Sequence, residues 1–321
     1  MENAGKIMVN YPAFTDKHRK LIESTAAKYG YRTVFCDDKE TALRESADSE
    51  IMLGFDPAFA KAGNKVKWVC SPSAGINHFF EPLAGTDIML TNSAGAHSLT
   101  IAEHIIMVTL EIMRRRMDYV ELARQRKWVI DLPVRSIYGA AIAMAGTGNI
   151  GQETAKRLRA FEPAEIVGIN RSGRAPDGLF DRIVNVSDIE SVLPETDLLV
   201  LSLPSTPETR RLLTEERLRM LPGTAYIVNV GRGDVLDEKA LERMLREGSI
   251  AGAALDVFEK EPLDPESTLW DCPNLVLTTH VAGNWTLPHT VDRIAELFTE
   301  DLVNYCEGKP LKRLIDVNKG Y

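Results

Sequence analysis

The chain has 321 residues, 44% of them hydrophobic and 26% charged, with a net charge of −8. That length suggests two domains, and the acidic balance argues against nucleic acid or an anionic membrane as the main partner. No apolar run reaches membrane-spanning length, the first residues lack the basic and apolar parts of a signal peptide, and Cys36, Cys70, Cys272 and Cys306 are scattered without metal-ligand spacing. These features predict a cytoplasmic protein with reduced thiols and no metal site.

In chain order, residues 6–10 read as a strand, 15–29 as a helix, 31–36 as a second strand and 39–47 as a weak helix. Further strands are expected at 50–55, 66–70 and 87–91, so strand and helix alternate as a parallel sheet requires. Residues 99–127 form one long helical stretch of a length suited to connecting two domains. The apolar run 138–145 is strand-like, and 152–161 has helical periodicity. Between them stands Gly146-Thr-Gly-Asn-Ile-Gly151, a G-x-G-x-x-G at a strand-to-helix junction. In that context the pattern means dinucleotide binding: close backbone approach at Gly146 and Gly148, and amides of Asn149, Ile150 and Gly151 facing a pyrophosphate. A second strand, 165–170, ends nineteen residues past Gly151. Alternation resumes with strands at 197–203, 224–230, 251–258 and 275–279, and helices at 207–220 and 237–247.

The final helix, 288–306, and the tail 311–317 are expected to return to the first domain. The predicted fold class is α/β: two doubly wound parallel-sheet domains, with a Rossmann cofactor domain inserted into a flavodoxin-like substrate domain. The domains are placed at 1–96 plus 287–321 and at 97–286.

Three side chains lie just past predicted strand ends, where open α/β sheets place ligands: Arg232, Glu261 and His280. Arginine presents a planar fork that matches a carboxylate. Histidine is suited to proton transfer near neutrality, and a carboxylate beside an imidazole favours its charged form and orients it. Taken singly, each also fits a structural role: a capping arginine, a loop carboxylate before Pro262, a packed histidine.

Four motifs follow one another at spacings that are more specific than any one alone: the glycine fingerprint, Asn229-Val-Gly-Arg-Gly-Asp-Val-Leu-Asp237, Ala254-Leu-Asp-Val-Phe-Glu-Lys-Glu-Pro-Leu263 and Thr279-His-Val-Ala-Gly283. With Ser73-Ala-Gly-Ile-Asn77 and Ile101-Ala-Glu-His104, nearly the whole chain resembles the D-isomer-specific 2-hydroxyacid dehydrogenases. The resemblance implies that His280 is the acid/base, Glu261 its partner, and Arg232 the grip on the substrate carboxylate. It implies that the loop Ser73, Ala74 and Gly75 also holds that carboxylate through backbone amides. Thr100, Leu203, Pro204, Thr209, Val230, Gly231 and Asp256 match segments that approach the cofactor.

One departure bears on the cofactor. Where an NAD-specific site needs an acidic residue for the ribose 2′-hydroxyl, this chain has Asn170, followed by Arg171, Ser172 and Arg174. Asparagine does not repel a 2′-phosphate, and the residues after it can donate to one. The expectation is NADP(H), with NAD(H) the second option, in a 2-keto acid reductase acting on glyoxylate, hydroxypyruvate or a larger 2-keto acid. Its partner is a small 2-keto or 2-hydroxy acid, and the resemblance implies a homodimer. The competing readings are a dinucleotide-sensing, corepressor-like binding protein and, within the fold, a phosphoglycerate or phosphite dehydrogenase.

Overall fold

The computed structural model describes residues 5–174 and 178–316. The chain divides into two compact units, Met1–His97 with Trp285–Tyr321, and Ser98–Asn284.

The first unit holds strands β1 (Lys6–Val9), β2 (Arg32–Phe35), β3 (Ile51–Leu53), β4 (Trp68–Cys70) and β5 (Met89–Thr91). They form one parallel sheet in the order β2-β1-β3-β4-β5, the flavodoxin-like arrangement. Side chains alternate between faces. Ile7, Val9, Ile51, Leu53 and Trp68 pack on one side with α1 (Asp16–Lys28) and α10 (Pro288–Cys306). Met8, Met52 and Val69 pack on the other with α2 (Lys39–Ser46), α3 (Ala58–Lys61) and α4 (Asn77–Leu83). Both faces are buried, which is why these strands read as unbroken apolar runs. The tail joins this unit: Leu314 bridges Thr91, and the Ile315 amide donates to the Leu90 carbonyl at 2.9 Å. Val317, where the tail was expected to end, lies outside the described residues.

The second unit begins with α5 (Ser98–Met113) and α6 (Arg116–Arg124). Its parallel sheet comprises β6 (Ala141–Ala145), β7 (Glu165–Asn170), β8 (Arg182–Asn185), β9 (Leu198–Leu201), β10 (Tyr226–Asn229), β11 (Gly252–Leu255) and β12 (Leu275–Leu277). The order is β12-β11-β10-β9-β6-β7-β8. Chain order reverses between β6 and β9, the switch point at which doubly wound sheets bind ligands. Ile142 and Met144 face a core shared with α5 and α7 (Asn149–Leu158), and Ala143 and Ala145 face one shared with α9 (Glu238–Glu247). The fold is thus a Rossmann unit inserted between the two stretches of a flavodoxin-like unit.

Two expected helices differ. The stretch 99–127 is not one helix: Arg115 takes a left-handed backbone (φ 53°) between α5 and α6. Buried apolar positions stop at Met113, and α6 buries none of its residues, so no core face drives continuation. The stretch 207–220 is helical only in the short α8 (Glu215–Leu218). Before it the Thr209 hydroxyl accepts from the Thr206 amide (2.8 Å) and donates to the Pro204 carbonyl (2.6 Å), holding a turn that competes with helix. Strand β8 and helices α3 and α4 were not foreseen.

Candidate active site

The fingerprint forms the β6–α7 junction. Gly146 has φ 110°, and a Cβ on Gly151 would lie 2.1 Å from the Gly146 carbonyl oxygen, so this crossing of strand and helix admits no side chain. A Cβ on Gly148 would meet nothing within 4 Å, leaving open space above the first turn of α7. The leading amides of that turn, at Asn149, Ile150 and Gly151, have no intrahelical partner by geometry. An open cradle with unspent amides fits a dinucleotide pyrophosphate.

Asn170 ends β7, but its side chain is occupied. Nδ2 donates to Thr147 Oγ1 (2.8 Å) and the Arg174 carbonyl (2.9 Å), and Oδ1 accepts from the Gly173 amide (2.7 Å) and the Ser172 hydroxyl (3.2 Å). All four of its hydrogen-bonding positions are used within the protein, three of them on the 171–174 turn and one on Thr147. Arg171, Ser172 and Arg174 are exposed on that turn.

Past β9, Leu203 and Pro204 run beside the next strand end, and the Thr209 hydroxyl is committed to Pro204. A Cβ on Gly231, past β10, would lie 2.6 Å from the Leu203 carbonyl oxygen, so these two loops touch. Val230 is buried, and Thr100 sits half-buried in the first turn of α5.

Arg232 follows, half-buried, with Nη1 donating to the Gly231 carbonyl at 2.6 Å. A Cβ on Gly233 would fall 1.9 Å from the Phe258 carbonyl carbon. The bare glycine therefore lets the 258–261 segment approach Arg232. Burial pulls the guanidinium below its ordinary value, opposed by Glu261 and Asp234, and an arginine so placed is still a cation near neutrality.

Glu261 Oε1 accepts from the Phe258 amide (3.0 Å), and Oε2 meets His280 Nδ1 at 2.7 Å. About half of the His280 side chain is exposed, and its Nε2 has no partner among the described residues. His280 has φ 56°, an unusual backbone state for a residue with a Cβ. Asp256 holds it there. The His280 amide donates to the Asp256 carbonyl (2.8 Å), and the buried carboxylate accepts from the Val281 amide (2.9 Å), the Ala282 amide (2.9 Å) and the Thr278 hydroxyl (2.6 Å). Asp256, matched to a position beside the cofactor, thus turns its carboxylate into the protein and fixes the turn that presents the imidazole. With the Thr278 proton spent on Asp256, the same hydroxyl accepts from His104 Nε2 at 3.2 Å. Burial lowers the His104 imidazole below its usual value, against the pull of Asp256 and Glu111, which favours the neutral ring this arrangement uses. The roles of Asp256, Thr278 and His104 were not legible beforehand, since the pattern shows an aspartate at a strand end but not where its oxygens go.

Ser73, Ala74 and Gly75 belong to the first unit, in the loop between β4 and α4. The amides of Ala74 and Gly75 have no acceptor among the described residues.

Residues 106–282 match the family model of the NAD-binding domain of D-isomer specific 2-hydroxyacid dehydrogenases. A glyoxylate reductase from Thermofilum pendens is 32% identical over 87% of this chain and 84% of its own length. A D-isomer specific 2-hydroxyacid dehydrogenase family protein from Aeromonas salmonicida superposes with a TM-score of 0.86 at 29% identity, covering 98% of this chain and all of that one. An NADPH-dependent glyoxylate/hydroxypyruvate reductase from Sinorhizobium meliloti, solved with NADP and sulfate, gives 0.81 at 26% identity over 99% of this chain and all of its own. With the glycine cradle and the strand-end residues around it, these likenesses show that the chain belongs to the D-isomer specific 2-hydroxyacid dehydrogenase family and is a nicotinamide-dinucleotide oxidoreductase.

Proposed function

We propose that the chain is an NADPH-preferring reductase that converts a 2-keto acid (glyoxylate, hydroxypyruvate or a larger one) to the D-2-hydroxy acid. The observation that carries this reading is the His280–Glu261 pair at 2.7 Å, with Nε2 of the same ring open and Arg232 within electrostatic reach of Glu261. A nicotinamide dinucleotide held at the β6–α7 cradle would supply the hydride for the carbonyl carbon. His280 Nε2 gives its proton to the keto oxygen as the carbon–oxygen double bond becomes a single bond. Glu261 meets the opposite nitrogen, Nδ1, at 2.7 Å and keeps the ring in one orientation with Nε2 open. Arg232 takes the substrate carboxylate with its fork and polarises the adjacent carbonyl. The unspent amides of Ala74 and Gly75 are assigned to a carboxylate as well, consistent with the family resemblance.

Two arginines on the 171–174 turn, Arg171 and Arg174, with no carboxylate at Asn170, favour a 2′-phosphate over a 2′-hydroxyl. The NADP found in the S. meliloti structure agrees with that preference. A homodimer is part of the same proposal, supported by the exposed side chains of Met117, Trp128 and Ile130 on and after α6.

The test is initial-rate measurement of NADPH oxidation with a panel of 2-keto acids. Wild type should turn over at least one of them, and His280→Ala should lose roughly 100-fold or more in kcat while NADPH still binds. Tight cofactor binding with no turnover of any acid by wild type would instead favour a sensor protein.

A further inference from the structure

The loop after β4 is braced in a way that the fingerprint and the catalytic trio do not explain. A trans peptide unit is planar, and its C=O and N–H point in opposite directions. Holding the carbonyl of one residue therefore aims the amide of the next. In this loop three consecutive peptide planes are held by their carbonyls from a single neighbouring segment, residues 92–97. His97 Nε2 donates to the Pro72 carbonyl at 3.1 Å. The Ser93 amide donates to the Ser73 carbonyl at 3.1 Å. Asn92 Nδ2 donates to the Ala74 carbonyl at 3.0 Å.

Each bond has a consequence on the far side of its plane. Fixing the Pro72 carbonyl directs the Ser73 amide, which finds Ser71 Oγ at 3.2 Å. Fixing the Ser73 and Ala74 carbonyls directs the Ala74 and Gly75 amides away from the brace, and these two have no acceptor among the described residues. Two successive amides held from one side and without an internal acceptor are open to an anion. The brace is itself immobilised. Asn92 Oδ1 accepts from the Ala94 amide (3.2 Å), the Ser93 hydroxyl donates to the Ser71 carbonyl (3.0 Å), and the buried His97 ring packs edge-on against Trp285 at 4.8 Å between centroids.

We propose that Asn92 and His97 are positioning residues for the substrate carboxylate: they lock the 72–75 peptide planes so that the Ala74 and Gly75 amides are aimed before the acid arrives. The inference rests on the reading of this loop as a carboxylate site. Neither side chain touches the substrate, and both act through backbone planes. Preorganisation of this kind lowers the cost of binding without altering the chemical step, so its loss belongs in KM.

The experiment compares wild type with Asn92→Ala, His97→Phe and His97→Gln. The phenylalanine keeps a ring against Trp285 and removes the donor, whereas glutamine restores a donor. Two readouts are taken in parallel: steady-state kinetics on the best 2-keto acid, and calorimetric titration of oxamate, an unreactive 2-keto-acid mimic, into protein saturated with NADPH. Asn92→Ala and His97→Phe should each raise KM and the oxamate Kd by roughly 10- to 100-fold, the loss of a few charge-assisted bonds' worth of alignment. In both, kcat and the NADPH Kd should stay within about three-fold of wild type, and His97→Gln should recover much of the affinity. Should Asn92→Ala fail to fold, the His97 pair carries the comparison alone. The proposal is overturned if His97→Phe binds oxamate as wild type does, or if kcat and cofactor affinity fall in step with KM, the mark of a merely structural role. A wild type that binds oxamate yet reduces no 2-keto acid sinks the proposed reaction and leaves the loop assignment standing. One that binds no oxamate sinks the loop assignment.

Discussion

At the scale of single residues, the turn after β7 shows how one side chain can set the shape of a whole loop. Asn170 uses three of its four hydrogen-bonding positions to fold residues 171–174 back on themselves and the fourth to reach Thr147. An aspartate there would accept from Gly173 and Ser172 and from a Thr147 hydroxyl turned to donate, but it would face the Arg174 carbonyl with an acceptor, so the charge that excludes a 2′-phosphate would also reshape the turn. On the proposed NADPH reading, discrimination between the cofactors falls to Arg171 and Arg174. A charge-assisted bond to phosphate is worth about 1.5–3 kcal/mol, so Arg171→Ala should lower kcat/KM for NADPH by roughly 10- to 100-fold. The value for NADH should change by no more than about two-fold, because its 2′-hydroxyl makes no such bond. Parallel kinetics with the two cofactors check this, and an equal loss in both would refute the contact.

At the scale of elements, the first unit depends on how its last helix is pinned to its first. His18, buried on α1, has Nδ1 3.0 Å from the Thr15 amide at the helix start and Nε2 2.7 Å from Asp292 on α10. An acceptor at Nδ1 requires the proton on Nε2, so the ring donates to Asp292. Lys17 adds a second contact to that carboxylate at 3.0 Å. His18 and Lys17 hold the Asp292 carboxyl below its ordinary range. A carboxylate with a depressed folded-state value contributes stability that is present above its unfolded value of ~3.9 and is lost as pH falls through the lower folded value. Asp292→Asn should therefore be less stable than wild type near neutrality, by a modest amount because the side chain is about one-third exposed. The difference should shrink toward zero as pH drops below ~4. Denaturation midpoints measured from pH 3 to 7 would show the two curves converging on the acid side, and parallel curves would contradict the linkage.

The same unit is closed by its tail. Arg313 pairs with the buried Asp301 at 3.0 Å and donates to the Leu297 carbonyl at 2.8 Å, fastening the 311–315 segment across α10. The chain can leave this sheet after β5, build an entire second unit and return, because helix and tail are held by contacts of this kind rather than by sequence proximity.

At the scale of the whole molecule, α6 and the residues after it stand outside the buried core of the second unit. No residue of α6 is buried, and Trp128 and Ile130 are 93% and 82% exposed. Apolar side chains this open in one short stretch are a cost unless another surface covers them. A second copy of the chain is the occupant that the family resemblance implies, and a two-fold interface would let each arm cover its counterpart. Wild type should sediment as a dimer at micromolar concentration, while Trp128→Glu with Ile130→Glu should sediment as a folded monomer. A monomeric wild type would remove the arm from this role.

The sequence by itself determined the two parallel sheets, the cofactor cradle and the family. Strands buried on both faces leave unbroken apolar runs, a backbone that must pass within 2.1 Å of where a side chain would begin leaves glycine, and a helix such as α10 shows its buried stripe in its own periodicity. These are local consequences, written within a few residues of their cause. The tertiary structure alone decided that the helical stretch after residue 98 breaks at Arg115, because continuation needed a core face that the pattern could not reveal as missing. It also decided that Asn170 shapes a turn, that Asp256 holds the backbone of His280, and that residues 92–97 aim the amides of a loop about twenty positions earlier. Each of these depends on where a side chain's few hydrogen-bonding atoms end up, a geometry set by segments far apart in the chain and invisible until they have packed.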